Sequence, residues 1–152
     1  MIHKRYESIF SSKKANEIMI NQKPMNKIVV NRVKKALLKK GVSIEQSCEL
    51  DKWLISKGVE AITFSEGTML MHTNVSASGF FEELIHYGQI KSGKLISADL
   101  KNVLIMELRA KEKLIKNKKA YHITDYEIEI LTESSNHYKI QLENLKRGRG
   151  SV

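Results

Sequence analysis

The stretch FFEELIHYGQ, residues 80–89, brings Glu82, Glu83 and His86 together in one short segment. On a helix, Glu82 and His86 lie four positions apart, so they project from one face and can close on a single cation. Glu83, beside them, is then a carboxylate placed to take a proton from an activated water. Gln89 follows His86 by three and falls at the edge of the same face, where a hydrogen bond could orient a ligand group. Phe81, Leu84, Ile85 and Gly88 occupy the opposite side. The expectation is that this apolar stripe is buried and that Glu82, Glu83, His86 and Gln89 are presented outward. The plain alternative is an amphipathic helix whose polar face is merely solvated.

A catalytic ion needs a third protein ligand. Glu107, in M-E-L-R-A-K-E, lies on the next helical segment, which a short turn would return antiparallel to the first. It shares the three- and four-residue stripe of Leu100, Val103 and Leu104, so it should be buried. A buried carboxylate is costly without a partner. Either a metal ion supplies one, or a nearby lysine or Arg109 does. The Glu82/Glu83/His86 spacing matches that of H-E-x-x-H metal helices, with glutamate in place of the first histidine.

The elements that must hold these residues can be read from periodicity. Residues 1–23 form a basic arm or short helix. Pro24 suits a helix start, and Ile28, Val29, Val33, Ala36 and Leu37 mark the buried stripe of a helix over 25–40, ended by Gly41. A short extended piece covers 42–44, and a brief helix over 50–57 carries Trp53, expected in the core along with Phe80 and Phe81. Alternation then predicts strands over 59–64 and 68–73, joined as a hairpin. Three helices follow, over about 76–91, 97–117 and 124–146. On the second, Leu108, Leu114 and Ile115 join the buried set. The third opens on T-D-Y-E, where Thr124 and Glu127 fit a capping box. Residues 24–147 thus read as one α+β domain, with a small sheet or hairpin followed by three helices, an N-terminal helix before it, and a flexible tail over 148–152.

At 152 residues the chain suffices for one such domain. No apolar run approaches the roughly 20 residues that span a bilayer, and no secretory signal is legible at the N-terminus. A single cysteine, Cys48, excludes an internal disulfide and has no neighbouring base to make it a nucleophile. The net charge of +9 is concentrated in residues 1–40 and favours acidic partners, among them nucleic acid. His72, beside the expected cleft, is a candidate ligand or substrate contact, although a partly exposed strand histidine is the simpler reading. His3 and His137 read as surface residues.

Taken in order, an alternating strand, a short loop, an E-E-L-I-H-x-x-Q helix and a helix with E-x-x-A running into KEKLIKNKKAYHIT resemble the zincin-like metallopeptidase toxin domains of bacterial polymorphic toxins. The resemblance covers about 33–145. It implies a metal-dependent peptidase delivered as the C-terminal part of a larger toxin, acting in the target-cell cytoplasm and neutralised by a cognate immunity protein, here an acidic one given the chain's charge. It further implies Glu82, His86 and Glu107 as ligands to Zn²⁺ and Glu83 as general base. The replacement of a histidine by glutamate makes the site formally neutral and admits Mn²⁺ or Fe²⁺ more readily. Tyr87, Tyr121 and His122 are candidate oxyanion donors. In zincins an edge strand beside the cleft can hold an extended peptide, a role open here to GTMLMHT. Two other classes compete: a nuclease in which Glu82, Glu83 and Glu107 hold Mg²⁺ while the basic N-terminal region grips phosphates, and a non-enzymatic helical interaction domain.

Overall fold

The computed structural model describes residues 12–64, 66–93 and 99–148. The expectations for His3, for the basic residues before Ser12, for a helix start at 97 and for the tail from 149 on lie outside the described residues. Within them the architecture is mixed α+β: six helices and one three-stranded sheet, in the order α1 (Ser12–Asn21), α2 (Lys27–Leu38), β1 (Ile44–Glu45), α3 (Cys48–Ser56), β2 (Ala61–Thr63), β3 (Met69–Met71), α4 (Ala77–Lys91), α5 (Leu100–Lys116) and α6 (Asp125–Lys146). None of the described helices is long and apolar enough to cross a membrane.

Strands β2 and β3 pair antiparallel, with Ile62 opposite Leu70, and β1 adds a parallel partner, Ile44 opposite Met69. Met69–Met71 is therefore the middle strand rather than an edge. Both of its sides are engaged in the ladder, so it cannot receive an added peptide strand; the outer strands are β1 and β2. The turn between β2 and β3 depends on Gly67. Its φ of +103° disfavours any side chain, and a Cβ there would sit 3.4 Å from the Tyr87 ring of α4.

Of the two forms expected for the N-terminal segment, the described part from Ser12 on takes the short helix, α1, whose Ile18 is fully buried against Ile130 and Tyr126 of α6. The second helix departs from expectation. Helix α2 begins not at Pro24 but after Asn26, whose side chain accepts from the Ile28 and Val29 N–H groups. Pro24 instead bridges to Ser76. The buried side of α2 is centred on Val30, with Val29, Val33 and Leu37 half-buried, while Ile28 and Ala36 are exposed. Two large residues expected inside are also outside. Trp53 is 42% exposed because α3 turns Leu54 inward, against Val59 and Ile62, and Leu100 is 47% exposed at the first turn of α5.

The main core lies between the sheet and the helices, built on Met69, Met71, Val75, Phe80, Leu114 and Leu131. Two buried carboxylates fix the start of α4 and α6. Ser76 caps α4, and its own N–H and hydroxyl donate to Glu60 at 2.7 and 2.8 Å. Thr124 and Glu127 form the capping box of α6, and Glu127 also accepts from the Ser78 N–H at 3.1 Å, tying α6 to α4. Because Glu127→Ala removes the carboxylate that accepts from Thr124 and from Ser78, while its own N–H still donates to the Thr124 hydroxyl, it should cost about 1–3 kcal/mol. Thr124→Ala, which loses only the cap, should cost about 1 kcal/mol. Denaturant melts of the two variants check this, and a loss below about 0.5 kcal/mol in Glu127→Ala would show that the carboxylate's bonds to Thr124 and Ser78 contribute little.

Candidate metal centre

Helix α4 is packed on β2 and on α5, and α5 in turn on α6. That arrangement inverts the expected orientation of α4. Glu82, Glu83 and His86 are fully buried, whereas Phe81, Leu84 and Ile85 are half-buried and Gly88 is exposed. The apolar residues line a groove of about 660 Å³ between α4 and α5, together with Gln89, Arg109 and Lys113 among others. Burial of the polar face is tolerable because the neighbouring elements bring it polar partners.

Glu107 comes to the same place. Its carboxylate, that of Glu82 and the His86 ring offer three ligand atoms within 4.8 Å of one another, all buried. His86 Nε2 lies 3.7 Å from Glu82 Oε1 and 3.4 Å from Glu107 Oε2. Ligands about 2.1 Å from a tetrahedral ion stand about 3.4 Å apart, so these separations fit such an ion. The other ring nitrogen, Nδ1, is 2.8 Å from Gln89 Oε1, while Gln89 Nε2 donates to the Met106 carbonyl at 3.1 Å. Since the amide nitrogen is committed to Met106, the oxygen faces His86, and Nδ1 must carry the hydrogen that it accepts. In the neutral ring the lone pair then sits on Nε2, toward the two carboxylates. This is the outer hydrogen bond that metal-binding histidines use to fix their tautomer. Two carboxylates and one imidazole are a donor set suited to Zn²⁺ and to harder divalent ions.

A nearby lysine was one of the partners expected for Glu107; what was not foreseen is that this lysine, Lys111, also bonds Glu82. One turn beyond Glu107, it is 2% exposed, and its Nζ donates to Glu82 Oε1 and to Glu107 Oε1 at 2.8 Å each. The Tyr138 ring of α6 lies 5.0 Å from the same ammonium. Of the cations weighed for Glu107, it is thus a lysine that reaches it; Arg109 is exposed at the groove. A signal existed: Leu104, Glu107, Lys111 and Leu114 recur at steps of three and four, which places the lysine on the buried stripe.

Glu83 stands apart from the three converging residues. Its Oε1 accepts from the Thr63 hydroxyl of β2 at 2.8 Å, so it is held against the sheet. The remaining candidates are not brought to the cluster. His72, just past β3, is partly exposed; its Nδ1 accepts from the Asn74 N–H at 2.9 Å and its Nε2 lies 3.8 Å from Asp51. His122 is exposed in the α5–α6 turn with φ of +54°. Tyr121 lines the groove and packs on Phe81 at 4.8 Å between ring centroids, and Tyr87 covers Gly67. His137 is half-buried beside Tyr138. Cys48 is exposed. No protein-family model, curated protein or solved structure matches this chain.

Proposed function

We propose that this chain is a metal-dependent hydrolase domain of the zincin-like toxin kind, cleaving a peptide bond in a target-cell protein. The observation that carries the proposal is the convergence of Glu82, His86 and Glu107 from α4 and α5 at separations fit for one ion. Bound there, Zn²⁺ would polarise the scissile carbonyl and make water acidic enough to attack near neutral pH. Glu83 accepts the proton of the attacking water and delivers it to the leaving amine. The Thr63 hydroxyl holds that carboxylate in one orientation, and Gln89 holds the His86 ring. The catalytic groups are buried, and Gln89, which bonds His86, also lines the groove between α4 and α5, so in this proposal substrate approaches from there. Apolar side chains of the substrate match Phe81, Leu84 and Ile85 there, and Arg109 and Lys113 suit an acidic neighbour. In this proposal the domain is the delivered C-terminal part of a larger bacterial toxin, and its +9 charge suits an acidic immunity protein.

Lys111 favours a second reading, in which the cluster is an ion-pair network of a non-enzymatic helical domain. Metal analysis of protein purified without chelator separates the two. The hydrolase requires about one zinc per chain, lost in both Glu82→Ala and His86→Ala. Metal-free wild-type protein that gains none on dialysis against zinc, manganese, iron or magnesium would leave the ion-pair network.

A further inference from the structure

We propose that Lys111 is a built-in counter-ion that competes with the metal, so that the site is held ready when empty and takes up its ion only by releasing an ammonium group. This presupposes the metal-dependent reading given above. Glu82 Oε1 is the contested atom: it receives Lys111 Nζ at 2.8 Å and faces His86 Nε2 at 3.7 Å. An ion bound between Glu82 and His86 would meet the lysine's positive charge at close range. Two like charges that near repel strongly wherever water is excluded, and here Glu82 and Lys111 are both almost fully buried.

Without the ion, the same lysine stabilises the buried carboxylates. Two carboxylates from different helices are brought together in the interior, and Lys111 sets a full positive charge between them. Lys111 bridges them and so pins α4 to α5. The contest is uneven at Glu107, where Oε1 faces the lysine at 2.8 Å and Oε2 faces the histidine at 3.4 Å. That carboxylate can keep both cations, one on each oxygen. Displacement therefore means that Lys111 gives up Glu82, keeps Glu107 and stays beneath Tyr138, whose ring face offers a released ammonium a favourable contact.

Zinc titrations of the metal-stripped full chain, wild type against Lys111→Met, test this. The variant should bind zinc at least about tenfold more tightly. Its metal-free form should melt at lower temperature, and zinc should raise its melting point by more than it raises that of the wild type. Equal or weaker zinc binding by Lys111→Met, with wild type still binding, overturns the competition and leaves the metal site standing. If neither protein binds any divalent ion, the metal reading and this inference fall together. Should metal-free Lys111→Met not fold, the wild type still decides the matter through the ¹⁵N–¹H signal of its buried ammonium group. One equivalent of zinc should shift that signal. A signal unmoved when zinc is bound rules out displacement.

Discussion

Glu107→Ala is expected to destabilise the metal-free protein by about 3–5 kcal/mol, the usual consequence of breaking a buried ion pair by removing one partner. For a chain of this size the melting temperature should fall by roughly 6–20 °C. The reason is specific to the geometry. Lys111 loses one of the two carboxylates that it bridges at 2.8 Å, and His86 loses the nearer of the two that it faces. The alanine also leaves a cavity between α5 and α4. On the proposed metal reading, zinc content should also drop to background in the same variant. Thermal melts of metal-free protein, set against Glu107→Gln, provide the measurement. The glutamine keeps the shape and a carbonyl acceptor for Lys111, so it should recover a good part of the stability but little of the metal. A loss below about 1 kcal/mol in Glu107→Ala would mean that the bridge is no stronger than a surface ion pair.

On the proposed hydrolase reading, Glu83→Gln is expected to abolish hydrolysis while leaving the metal content unchanged. Loss of a general base typically lowers the rate by about 10²- to 10⁴-fold. Glu83 is outside the three converging residues, and a glutamine oxygen can still accept the Thr63 hydroxyl, so neither zinc content nor melting temperature should change much. Thr63→Val tests the support for that carboxylate separately. It removes a donor at 2.8 Å from a buried acceptor, and it should lower kcat more than it raises KM, with Thr63→Ser restoring the rate. Full activity in Glu83→Gln would remove this residue from the chemistry, whatever the metal content.

Much of the fold was legible because its signals are local. The T-D-Y-E cap located α6 to the residue, since Thr124 and Glu127 satisfy each other's backbone within one turn and need nothing from elsewhere. Period-two alternation found β2 and β3. The extended piece at 42–44 was legible too, but not its place in the sheet, because Ile44–Glu45 becomes a strand only by pairing in parallel with a segment far along the chain. That third strand is also what turned Met69–Met71 from an outer strand into the middle one. Helix starts followed side-chain caps rather than proline, as Asn26 shows.

The site divides in the same way. Helical spacing by itself put Glu82 and His86 on one face of α4, and the stripe of α5 put Glu107 among buried positions, since both follow from a rotation of about 100° per residue. Which face of α4 is covered was beyond the sequence. Hydrophobicity assigns an apolar stripe to the interior, but here the interior beside α4 is furnished by Thr63, Glu107 and Lys111, and three buried acidic or imidazole groups face them while Phe81, Leu84 and Ile85 line a groove. Hydrogen bonds and ion pairs are won or lost between specific atoms of distant segments. Only the packing of α4 against β2 and α5 could decide that the polar face is the inner one, and that Lys111 reaches Glu82 as well as Glu107.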